Sequence, residues 1–206
     1  MFKYAFLILF FICKIGTAQD SKHPISLGFC YGFGGSFENK DYSYTNRFFK
    51  LQGYYTINKT NKMEYQVVIQ PEINFATHQL KNFYFIKPDE PDFLTKREEF
   101  TKLKDIHEYI FGIGFLARRW ISNSCSIYVL GSVGPMITNT DTERLTKGFA
   151  FSDVISFGIS LKIKKITFDI RPSLRHNSNA GLQRSNAGLN TRNIEFGLAI
   201  PLDNRF

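Results

Sequence analysis

The chain has 206 residues, 26 of them Lys or Arg against 18 acids, for a net charge of +8; its length suits one domain. Beyond the first apolar stretch no run approaches the ~20 residues of a membrane helix, which excludes a helical membrane bundle. The three cysteines lack metal-ligand spacing, and neither a phosphate-binding glycine loop nor a nucleic-acid signature occurs, so metal, nucleotide and nucleic-acid functions are not indicated.

Lys3, the apolar run from Tyr4 to Ile12 and the small residues Gly16-Thr17-Ala18 read as a secretory signal peptide cleaved after Ala18. Residues 19–206 are then one exported domain. Removing Lys3 and Lys14 leaves 24 basic residues against 18 acids, a net charge of +6. Cys13 belongs to the leader. Cys30 and Cys125 fall on distant strands and opposite faces, so no disulfide is expected.

The apolar period is two almost throughout, the period of a strand with unlike faces. Strands are expected over 25–37, 47–57, 63–75, 109–117, 125–137, 149–163, 166–178 and 194–202. The alternation is cleanest in 63–75. There Met63, Tyr65, Val67, Ile69, Ile73 and Phe75 take one face and Glu64, Gln66, Gln70, Glu72 and Asn74 the other. In the last two strands the apolar row moves to even positions: Ile166, Phe168, Ile170 and Leu174, then Ile194, Phe196, Leu198, Ile200 and Leu202.

A soluble sandwich or a lipocalin-like barrel also alternates. Three features favour a transmembrane one. The apolar rows are aromatic-rich and reach the ~9–11 residues that cross a bilayer. The opposite rows carry Glu, Gln, Asp, Arg and Ser, which predicts a polar interior rather than an oily core. Connections alternate between short (58–62, 121–124, 164–165) and long (38–46, 76–105, 138–148, 179–191), and the chain ends on aromatic Phe206. The expected fold is all-β, an eight-stranded antiparallel transmembrane β-barrel of the bacterial outer membrane. The loop 76–105 carries mixed charges, as a solvated outer loop would.

His176 and Ser178 share the parity of Leu174 and Ile170, so they extend the lipid-facing row at the outer rim. Residues i and i+2 of a strand stand on one face, about 7 Å apart at Cα. A polar pair there has no packing role, and a serine needs an adjacent base to become a nucleophile. Asn- and Gly-rich residues follow, from which oxyanion donors can come. A two-residue turn at Lys164-Lys165 would set Asp153 directly opposite His176, within ~4.5–5.5 Å at Cβ, which makes it a candidate catalytic acid that engages the imidazole, the alternative being a rim carboxylate.

The string His176-Asn177-Ser178-Asn179-Ala180-Gly181, followed by Asn186 and Gly188, resembles the PagL-type lipid A 3-O-deacylases, also called acyloxyacyl hydrolases. The resemblance implies an outer-membrane serine esterase that releases the 3-O-linked hydroxyacyl chain of lipid A, with lipopolysaccharide and the membrane as partners and no cofactor. It makes Ser178 the nucleophile and His176 the base. Asn186 and the backbone near Gly181 become the oxyanion region, and Asn179 a motif position. The family's acidic member, usually Glu, falls on Asn190. An amide can accept a hydrogen bond from the imidazole but brings no charge. An inactive barrel of the same family and a small structural or adhesive barrel are the alternative readings.

Overall fold

The computed structural model describes residues 25–202; the leader, its cleavage site after Ala18 and the terminal Phe206 lie outside the described residues. Eight strands follow one another: β1 (Ile25–Ser36), β2 (Tyr42–Lys59), β3 (Met63–Leu80), β4 (Lys104–Trp120), β5 (Cys125–Thr138), β6 (Gly148–Ile163), β7 (Ile166–Ser178) and β8 (Leu189–Leu202). Each pairs antiparallel with its neighbour in sequence, and β1 pairs with β8 to close the barrel. Closure leaves no edge strand, so the ladders run around the wall without an open row of backbone groups.

The alternation dictates the two surfaces. Phe29, Phe49, Ile69, Phe111, Phe115, Ile155, Phe168 and Phe196 all point outward and are exposed. A belt of this kind around the whole barrel exceeds the few hundred Å² of apolar patch that soluble monomers carry. It is a surface for lipid, and the fold is the expected membrane barrel. Cys30 points inward and is buried, Cys125 is half-buried on β5, and neither forms a disulfide.

Four strands overshoot the sequence expectation. β2 begins at Tyr42, β3 continues to Leu80, β4 starts at Lys104 and β8 at Leu189. The extra outward residues, Ser43, Thr45, Thr77, Gln79, Asp105, His107, Asn190 and Arg192, are polar. The ladder continues beyond the apolar belt, where the outward row no longer needs to be apolar, so the period stops signalling. The real connections at this end are therefore 37–41, 81–103, 139–147 and 179–188. The longest is partly ordered, with a 3-10 turn at Phe83–Phe85 and a short helix, α1 (Phe93–Phe100). Arg97 of α1 donates two hydrogen bonds to the Ile86 carbonyl, at 3.0 and 2.6 Å.

The lumen is filled, and not by polar groups alone. Tyr44, Ile106, Met136, Leu145 and Leu189 form one apolar cluster and Tyr54, Val68, Leu116, Tyr128 and Leu130 another. The inward rows expected to be small or polar thus also carry large apolar and aromatic side chains. Eight strands enclose a space just wide enough for side chains to fill, and large inward residues fill it. A charged layer accompanies them. Glu195 accepts from Arg171 Nε at 2.8 Å, from Ser173 Oγ at 2.6 Å and from Lys50 Nζ at 3.0 Å. Arg175 meets Glu72 at 2.6 Å. Arg171 and Glu195 are both 0 % exposed. Removing one member of such a cluster strands the others. Glu195→Ala is expected to destabilise the barrel by about 3–5 kcal/mol, read as a lowered urea midpoint in detergent micelles against wild type.

Candidate active site

β7 carries the central pair. His176 is exposed on its outer face and Ser178, its last residue, is half-buried. The register places His176 opposite Asp153 of β6 and opposite Asn190 of β8. Three polar side chains thus lie in one row across three strands, at the margin of the apolar belt. The two flanking residues are not equivalent. Asn190 Oδ1 lies 2.7 Å from His176 Nδ1. An amide oxygen only accepts, so Nδ1 is the donor of this contact, and in the neutral ring Nε2 is the nitrogen with the lone pair. Asp153 has the position expected of it but does not bind the ring. Among the described residues its carboxylate makes no hydrogen bond or ion pair, and neither does the Ser178 hydroxyl.

After Ser178 the chain turns sharply. Ala180 and Gly181 have φ of 53° and 78°, and Asn179 holds the turn. Its Oδ1 accepts from the Gly181 N–H at 3.1 Å and its Nδ2 donates to the Ser185 carbonyl at 2.9 Å. Its own N–H donates to Asn186 Oδ1 at 2.8 Å. The expected oxyanion set therefore divides. The Gly181 N–H is already engaged, whereas Asn186 Nδ2 has no partner among the described residues and Asn186 is exposed. Asn179 is fully buried, which makes it the anchor of the turn. Gly188 closes the loop with φ of 71°; a Cβ there would stand 2.8 Å from His176 Cε1. Glycine is needed on both counts, conformation and close approach to the ring.

Below the site two rows of outward residues descend around the wall. One runs His176, Asp153, Val133, Ile113, Ile69 and the other Leu174, Ile155, Gly131, Phe115, Val67. Because strands tilt in a barrel, the rows start near the long-loop end of β7 and finish near the short-turn end of β3. Gly131 leaves a gap between Phe115 and Ile155; a Cβ there would meet nothing within 4 Å. The result is an apolar groove of about 800 Å³ with Asp153, His176 and Asn190 at its head.

The profile of the lipid A 3-O-deacylase (PagL) family matches residues 93–199. That is more than half of the chain, and it spans every residue of the site.

The chain belongs to the PagL family.

Among solved structures, the barrel is similar to the outer membrane enzyme PagL, with a TM-score of 0.58 and 14% identity over 85% of this chain and 99% of that one. It is also similar to Neisserial surface protein A (TM-score 0.44, 10% identity, 87% and 97% covered). A third likeness is to Ail of Yersinia pestis (TM-score 0.42, 15% identity, 88% and 100% covered). No curated protein matches the sequence. PagL-family membership agrees with the resemblance seen at His176–Gly188.

Sequence reasoning did not single out Arg144. Its Nε donates to the Gly188 carbonyl at 2.7 Å and its Nη2 to that of Ala187 at 3.1 Å. No periodicity marks a loop arginine, so nothing in the sequence pointed to it. The contact on Nδ1 makes Asn190 the residue that orients the imidazole. Asn190→Ala is expected to lower kcat by roughly 10²-fold, a larger loss than that of Asp153→Asn. Steady-state kinetics of both variants on an ester substrate check the order, and the reverse order would give the orienting role to Asp153.

Proposed function

We propose that this protein is an outer-membrane serine esterase that removes the 3-O-linked hydroxyacyl chain of lipid A. The observation that carries the reading is the imidazole held by Asn190, two residues before Ser178 on the same strand, on the lipid-facing surface at the head of the descending apolar groove. A soluble ester has no need of such a site. A lipid held in the leaflet brings its acyl chain along the wall and its ester bond to the rim.

The chemistry follows from the groups present. His176 Nε2 takes the proton of the Ser178 hydroxyl as Oγ attacks the ester carbonyl. The Nδ1–H stays on the Asn190 oxygen, so the ring remains in the tautomer that can act as base. The charge developing on the carbonyl oxygen is met by Asn186 Nδ2, the donor left free. Collapse of the tetrahedral intermediate releases the sugar hydroxyl of lipid A, which takes its proton from the imidazolium. Water, deprotonated by His176, then frees the hydroxy fatty acid from Ser178. No cofactor takes part. The basic balance of the exported chain suits a phosphorylated glycolipid surface.

Asn190 also supports a second reading, a weakly active member of the family. An amide orients the ring but does not stabilise the imidazolium by charge. In the serine protease template the acid-to-amide change costs ~10⁴ through the wrong tautomer. Here the oxygen-facing amide keeps the right tautomer, so the loss is confined to the missing charge. Expressing the protein in a Gram-negative host is expected to remove one hydroxyacyl chain from lipid A by mass spectrometry. Ser178→Ala should abolish this by several orders of magnitude while heat-modifiable gel migration persists. An unchanged lipid A spectrum with wild type present in the outer membrane would overturn the esterase reading.

A further inference from the structure

The 139–147 connection does more than join β5 to β6. Leu145 forms an antiparallel bridge with Asn186, and the Thr146 and Ser185 backbones exchange contacts at 3.3 and 3.1 Å, the second through Thr146 Oγ1. The site loop 179–188 is thereby tied to 144–146 at one isolated bridge. Arg144 sits where this pairing ends and the site begins. Its carbonyl accepts the Gly188 N–H at 3.1 Å while its guanidinium donates to the Gly188 and Ala187 carbonyls. Gly188 is thus held from both its N–H and its C=O by one residue.

The guanidinium is itself fixed. It lies 4.5 Å from the Tyr42 ring centroid and 5.3 Å from that of Phe85. One residue earlier, Glu143 turns inward and meets His78 Nε2 at 2.8 Å, with both side chains buried. Residues 143 and 144 therefore join the β3 wall, the β2 entrance and the site loop. The far side of this clamp is the imidazole, because Gly188 packs against His176 Cε1 so closely that no Cβ fits between them.

Resting on the esterase reading above, we propose that Arg144 is a positioning residue of the site: through Gly188 it sets the wall against which the His176 ring stands. Asn190 fixes one edge of the imidazole and Gly188 backs another. With both in place the ring is held from two edges. Without Arg144 the left-handed Gly188 loses its fixed carbonyl and the ring loses its backing. Misplacement by about 1 Å is enough to cost on the order of 10²-fold in rate.

The test uses the full chain in detergent micelles with two substrates, lipid A and the uncharged ester p-nitrophenyl octanoate. Wild type, Ser178→Ala, Arg144→Ala and Arg144→Lys are compared, each checked for heat-modifiable migration. Arg144→Ala is expected to lower kcat on both substrates by on the order of tenfold to a hundredfold, with KM close to wild type. Arg144→Lys should regain part of the loss, since an ammonium can reach one carbonyl but lacks the planar fork for two. In ¹⁵N-histidine spectra the protected Nδ1–H of His176 should be sharp in wild type and broadened by exchange in Arg144→Ala. An unchanged kcat in Arg144→Ala overturns the proposal. So does a loss confined to lipid A and to KM, which would make Arg144 a phosphate contact. If hydrolysis by wild type does not depend on Ser178, the esterase reading fails and the proposal with it; Ser178-dependent hydrolysis indifferent to Arg144 overturns the proposal alone.

Discussion

The register between β7 and β8 is the constraint on which the site depends. It sets Arg171 opposite Glu195 on the inner face and His176 opposite Asn190 on the outer. A slip of one residue would turn the histidine into the lumen and the charges into lipid. Barrel closure forbids half-measures, since a slipped strand would leave backbone groups unpaired where no water can reach them. Glu195 adds a specific lock. It draws Arg171 and Ser173 of β7 and Lys50 of β2 to one carboxylate. The ion cluster inside and the imidazole–amide contact outside are two faces of one alignment.

The strands were legible because a lipid-facing row must be apolar and an inward row need not be. The same rule hid the strand ends at Tyr42, Leu80, Lys104 and Leu189, where pairing outlasts the belt. The tight turn at Lys164-Lys165 was legible too. Lys164 adopts φ of 56°, the pairing of Ile163 with Ile166 follows, and Asp153 faces His176 as the count required. The β7–β8 register could not be counted in this way. A connection as long as 179–188 does not fix its own span, so the placing of Asn190 beside His176 was reached through family resemblance alone. Which flanking side chain binds the ring is a matter of rotamers and was beyond any pattern. Nor could a pattern show that Asn179 spends the Gly181 N–H, or that a loop arginine reaches Gly188.

The site divides its work among unlike elements. Ser178 and His176 ride on β7, a strand flanked on both sides by β6 and β8. The free amide of Asn186 rides on a loop that would be loose were it not paired with a second loop. Strand-borne groups take their precision from the barrel, while loop-borne groups take theirs from a few side-chain contacts. The asparagine at 190 keeps the ring oriented through one amide contact, while the carboxylate of the same row, Asp153, stands across from the histidine on the other neighbouring strand.

The packed lumen has a consequence of a different kind. Two apolar clusters and a neutralised ion layer occupy the cross-section through which a pore would run. Among the described residues the inside of the barrel is thus taken up largely by side chains. What the barrel presents to its surroundings is therefore its outer wall, where His176, Asp153 and Asn190 stand in one row.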